Sequence, residues 1–184
     1  MSPLSIPRPG ADESSQYYHS YISQVPGENI GTYLAEQFPE LERSLSRLDD
    51  AVARSAYAPG KWSIKEVLGH LMDTERIFTY RLLRIARGDA TPLPGFDENA
   101  FVPAGKFDER ALGELLDELR AVRTGTIALV QGVPGEAWSR RGKASDAVVS
   151  ARALAYIVVG HFTHHARVLR ERYLVSSPSG AAAR

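Results

Sequence analysis

Four stretches of this 184-residue chain carry apolar residues at every third or fourth position, and that spacing most constrains the fold. A strand exposes and buries alternate residues, so stripes of this period are buried only by helices. The first stretch spans 28–55, with Ile30, Tyr33, Leu34, Phe38, Leu41, Leu45, Leu48 and Val52 on its stripe. Pro39 lies inside it, where a missing N–H and a clash with the preceding turn predict a kink or break. The second spans 63–87. It opens Ser63-Ile64-Lys65-Glu66, in which Ser63 can cap the helix and Glu66 can reach back to it, and Gly88 suits a left-handed end. The third spans 108–131 and stops at Gly132 and Pro134. The fourth spans 150–174, with Ser150 as its N-cap. Four such helices without a convincing strand pair predict an all-α four-helix bundle.

The segment between the second and third helices holds Pro92, Pro94, Pro103, Gly88, Gly95 and Gly105, which forbid a long regular helix. It is longer than an ordinary helix connection and predicts a crossover loop. Residues 134–138 suggest one short turn, and 139–148 a loop or a small hairpin. Residues 1–27, rich in Pro, Gly and Ser, read as an arm ordered at best by docking, with Tyr17, Tyr18 and Tyr21 as its pins. The expected division is arm 1–27, bundle domain 28–174 and flexible tail 175–184.

Lys plus Arg and Asp plus Glu both number 22, so the net charge is zero and a dedicated nucleic-acid binder is disfavoured. No apolar run reaches membrane-spanning length, and the first residues lack the apolar core of a signal peptide. The chain has no cysteine, which removes disulfides, thiolate ligands and a cysteine nucleophile. The expectation is a cytoplasmic protein with neither nucleic acid nor membrane as partner.

The five histidines are unevenly placed. At about 100° per residue, with Leu154 as zero, His161 falls near 340° and His165 near 20°, in the middle of the apolar stripe. His164 falls on the flank. An i, i+4 histidine pair can share one metal ion, and it can equally be two hydrogen-bonded packing residues. A third ligand must come from another helix, and His70, at the edge of the second helix's stripe, is the candidate. Three imidazoles leave open positions on zinc, nickel, cobalt or iron. Glu75 falls inside the same stripe, either orienting a metal-bound histidine or pairing with a buried arginine. Arg76, Arg81, Arg84 and Arg87 read mostly as a solvated face, some of which can bind an anion near the site.

The stretch GKWSIKEVLGHLMDTERIFTYRLLRIARGDATPLPGFDENAF, followed by ALAYIVVGHFTHHARVLRERYL, resembles the DinB-like (DinB/YfiT) superfamily. The motifs W-S-x-x-E-V-x-x-H-L and G-H-x-x-H-H, in this order, carry the resemblance, which extends over roughly 28–174. It implies a four-helix bundle with a long crossover, often a homodimer, and a divalent-metal site in which His70, His161 and His165 are the ligands. It also implies nickel or zinc as the metal, and a low-molecular-weight thiol such as bacillithiol or mycothiol that attacks a small electrophile. Pro39 departs from what the resemblance leads one to expect. Three functions stay open on the sequence: a thiol-dependent transferase, a metal-dependent hydrolase, and a non-catalytic dimer with structural histidines.

Overall fold

Local signals set the helix ends. The computed structural model describes residues 4–174, so the tail expected at 175–184 lies outside the described residues. Helix α1 spans Gln16–Ile22, α2 Ile30–Leu45, α3 Asp50–Ala53, α4 Ile64–Ala86, α5 Glu98–Gly105, α6 Leu112–Gln131 and α7 Ala151–Val168. At the start of α4, Glu66 N–H donates to Ser63 Oγ (3.0 Å) and Ser63 N–H donates to Glu66 Oε2 (2.8 Å), the reciprocal cap read from the sequence. Gly88 follows the helix at φ 81°. Ser150 caps α7 by accepting from Ala153 N–H at 3.0 Å.

The structure corrects several boundaries. The first stretch is not one helix over 28–55. It runs through Pro39 without a break and stops at Leu45, and Asp49 then starts α3 by accepting from Val52 N–H at 2.8 Å. The third helix begins at Leu112, after a 3-10 turn at Phe107–Glu109, instead of at 108. The fourth ends at Val168 and continues as one wide turn over Leu169–Tyr173. The crossover holds an eight-residue helix, α5, started by Asp97. Of the two readings left open for 139–148, the hairpin holds, and it spans 141–150: β1 Arg141–Ala144 against β2 Ala147–Ser150. Ser145 and Asp146 form its tip at φ 49° and 60°, both left-handed, as a two-residue hairpin turn requires.

Two apolar clusters fill the bundle, and the order in which each helix meets them gives its direction. Helix α2 passes from Ile30 and Leu34 in the first cluster to Phe38, Leu41 and Leu45 in the second. Helix α7 runs the same way, from Leu154–Val159 to Phe162 and Leu169. Helices α4 and α6 run the opposite way: α4 from Val67–Met72 to Phe78 and Leu82, α6 from Leu115 and Leu119 to Val130. The bundle is therefore up-down-down-up. Helices α2 and α4 each pack on both α6 and α7, which makes them diagonal partners. Helices α4 and α6 lie side by side and parallel, so the chain must return along the whole bundle between them. That return is the crossover, and Phe107 seats it on α4. A Cβ at Gly69 would lie 2.2 Å from the Phe107 ring, so the ring uses the space glycine leaves.

The arm docks on α7. Tyr156 Oη donates to Ile6 O at 2.7 Å, Arg152 Nε donates to Glu13 Oε2 at 2.6 Å, and α1 lies across α7. Gly160 permits that crossing, because a Cβ there would stand 2.1 Å from the Tyr21 carbonyl oxygen. Helix α1 has seven residues, too few to show a period or to persist alone, so its order comes from packing. Among the described residues no helix is long and apolar enough to cross a membrane. Gly160→Ala is expected to push α1 off α7 and cost about 1–3 kcal/mol, the usual range for overpacking. Thermal melting reads the loss, and faster hydrogen exchange confined to 6–22 localises it.

Candidate metal centre

His70 projects from α4 and His161 and His165 from α7, the antiparallel neighbour of α4. One turn separates the two α7 rings, so both reach the same seam. His70 Nε2 and His161 Nε2 are 3.0 Å apart, and one nitrogen from each of the three residues falls in a set no wider than 4.8 Å. His70 and His161 are 7% and 6% exposed, and His165 is partly buried. The helical-wheel expectation put His70 at the edge of its stripe; the structure turns it fully onto the α7 pair. His164 points along the flank, edge-on to Tyr21 and His165.

Burial also sets the protonation state. Loss of solvent pushes His70 down to about 4 and His165 down to about 3, and holds His161 well below its ordinary value. Three neutral imidazoles offer three lone pairs, the donor set that zinc and nickel accept. Metal–nitrogen bonds of ~2.0–2.1 Å place ligand nitrogens of one tetrahedral ion ~3.4 Å apart. One pair of nitrogens at 3.0 Å and all three within 4.8 Å bracket that spacing, and the residues fit a divalent ion. Thr74 Oγ1 lies 3.4 Å from His70 Nδ1, which leaves Nε2 of that ring facing the other two.

Aromatic side chains enclose the histidines. Trp62 stacks against His70 at 4.8 Å between centroids, and Tyr21 and Phe78 meet His161 edge-on at 5.3 and 5.9 Å. Beyond them lies a cavity of about 460 Å³, bordered by all three histidines and walled by the arm, α4, α5 and the hairpin tip. A second cavity of about 320 Å³ opens on the other side of Trp62 and His165, lined also by Lys61, His164 and Tyr173. The tyrosines of the arm were read from the sequence only as pins. Phe96 and Ser145, which also line the larger cavity, lie in a loop and a turn and carry no periodic signal.

Glu75 takes the second of the two roles left open by the sequence. Arg123 Nη2 donates to Glu75 Oε2 at 2.8 Å and Thr126 Oγ1 donates to Oε1 at 2.6 Å. Its carboxylate makes no hydrogen bond to His70, His161 or His165 among the described residues, so it does not orient a histidine there. Arg123 also donates to Gln37 Oε1 at 3.1 Å and lies over the Phe162 ring at 4.3 Å. A second correction concerns the arginines. Arg76 and Arg84 do lie in ion pairs near the surface, but Arg81 is 2% exposed and belongs to the interior.

The DinB superfamily matches residues 33–169 of the chain. Among solved structures the chain is similar to YfiT from Bacillus subtilis, described as a probable metal-dependent hydrolase with an unusual four-helix bundle topology. The two share 17% identity and a TM-score of 0.69, over 92% of this chain and 93% of that one. It is similar as well to the mycothiol-dependent maleylpyruvate isomerase, at 16% identity and a TM-score of 0.65, covering 79% of this chain and 61% of that one. No curated protein matches the sequence.

Two outcomes follow from the buried polar groups. In metal-free protein the folded histidines stay neutral while those of the unfolded chain protonate, so the unfolded state binds more protons as pH falls. Stability is therefore expected to be full above pH ~6.5 and to fall by a few kcal/mol toward pH ~4, with His70→Leu flattening the slope in urea titrations across that window. Arg123→Met strands the Glu75 carboxylate and is expected to cost about 3–5 kcal/mol, and Glu75→Leu in the same chain is expected to restore most of it.

Proposed function

The chain belongs to the DinB superfamily, and from that premise we propose that it is a metal-dependent enzyme joining two small molecules. His70, His161 and His165 hold a divalent ion, nickel or zinc by their chemistry. A bound divalent ion lowers the pKa of a thiol or a water in an open position and holds the anion beside an electrophile. The protein's own groups do the rest. Thr74 steadies His70, and Trp62, Tyr21 and Phe78 exclude bulk water and strengthen the local electrostatics.

The observation that carries a two-reactant reading is that His165 and Trp62 border both cavities, about 460 and 320 Å³. A site for hydrolysis needs room for one substrate and a water. Two chambers meeting at one histidine suit a thiol carried by a small cofactor in one and its electrophile in the other. With no cysteine in the chain, the sulfur must come from outside. Hydrolysis is the second reading, favoured by the likeness to YfiT over nearly the whole of both chains.

Elemental analysis of untagged protein is the first test. About one metal ion per chain is expected in wild type, and its loss in His70→Ala and His161→Ala, each of which removes one of the three ligands. Metal-loaded protein is then offered epoxides or alkyl halides with bacillithiol, mycothiol or glutathione. Turnover only with thiol supports transfer; thiol-independent turnover abolished by chelation supports hydrolysis. Absence of metal after reloading sinks both.

A further inference from the structure

Three cationic side chains are buried among the described residues, and two have a carboxylate: Lys65 meets Asp50 at 2.9 Å and Arg123 meets Glu75 at 2.8 Å. Arg81, 2% exposed, has none among the described residues. A buried charge left without a counter-ion is costly, so its surroundings call for explanation. Its Nη2 donates to Pro94 O at 2.7 Å and to Ser145 Oγ at 2.9 Å, and its guanidinium lies near the Phe78 and Phe96 rings at 5.9 and 5.8 Å. Phe78, Phe96 and Ser145 all line the larger cavity, so the charge stands directly behind its wall.

Ser145 accepts from Arg81, which leaves the Ser145 hydroxyl proton to be donated elsewhere, and no acceptor takes it among the described residues. Tyr18 lines the same cavity, edge-on to Phe78 at 5.8 Å. Burial raises its phenol pKa while the Arg81 guanidinium opposes that rise, so the phenol keeps its proton and its oxygen faces the cation. Two O–H donors, both backed by one buried positive charge, border a cavity that Tyr17, Tyr21, Trp62, Phe78 and Phe96 also line. Glu98 also lines it but is partly exposed and makes no ion pair with Arg81.

We propose that this cavity binds small organic acids with a planar, apolar body, the carboxylate accepting from Ser145 and Tyr18 with Arg81 as its counter-charge. Trp62 and Phe96 take the ring or unsaturated body, and the three histidines lie at the same cavity. That the acid is a reactant rests on the metal-dependent chemistry proposed above; its binding does not.

The test uses full-length protein stripped of metal, so that nothing can ligate an ion. The chain has two tryptophans, and a Trp138→Phe background leaves Trp62 on the cavity wall as the fluorescent reporter. Benzoate and its neutral isostere benzamide are titrated at pH 7. Benzoate is expected to bind at least tenfold more tightly. Ser145→Gly, which suits the φ of 49°, and Tyr18→Phe are each expected to weaken benzoate severalfold and leave benzamide unchanged. Arg81→Met is expected to erase the preference; if it fails to fold, the Ser145→Gly/Tyr18→Phe double variant reads the same quantity. Equal binding of the two probes, no binding of benzoate, or a preference that survives the double variant would overturn the proposal. So would benzoate binding that appears only after metal is restored, since the anion would then sit on the histidines. Absence of metal in the elemental analysis would remove the catalytic reading and leave a positive benzoate result standing.

Discussion

The bundle interrupts its own core. At one height each of its four helices gives up apolar residues for polar ones: Gln37 on α2, His70, Thr74 and Glu75 on α4, Arg123 and Thr126 on α6, His161 and Thr163 on α7. None can be buried alone, since an unpaired polar group in such a place costs more than its hydrogen bond returns. They are solved jointly. Glu75 neutralises Arg123, Thr126 fills the second carboxylate oxygen, and Gln37 bridges Arg123 to Thr163 and the Val159 carbonyl. The histidines form the outer end of this layer. The pairing fixes the register of α4 against α6 and of α2 against α7, and so fixes which rings meet at the seam.

Much of this was legible in the sequence because it was written in local chemistry. The reciprocal cap of Ser63 and Glu66 sets the start of α4, and one helical turn sets the distance between His161 and His165. What escaped was set by contacts far apart in the chain. Pro39 looked like a break, yet α2 continues through it, held on both sides by Phe38 and Leu41 in the second cluster. Arg81 looked like one of a solvated row, and only the crossover and hairpin bury it, through Pro94 and Ser145. Helix α1 gave no periodic signal, because seven residues offer none and its order comes from Gly160.

Two glycines act at a distance from any turn. Gly69 and Gly160 are both one residue before a histidine of the cluster, and each admits a foreign segment at that point: Phe107 at the first, the Tyr21 backbone at the second. The missing side chain beside His161 thus admits Tyr21, whose ring meets that imidazole edge-on, and the one beside His70 seats the crossover on α4. In the second motif, adjacent positions therefore specify both a ring and its cover, which the spacing of the histidines alone does not express.

The arm's place over the histidines also has a consequence for the order of assembly. Ile6 and Tyr156 are 150 positions apart, and Glu13 and Arg152 are 139 apart. The residues that close the cavity are thus synthesised long before the helix that receives them. Through most of translation, Tyr17, Tyr18 and Tyr21 have no surface to meet. Only when α7 emerges do the first and last parts of the pocket close on each other, so a chain stalled or truncated before α7 has no chamber for a ligand.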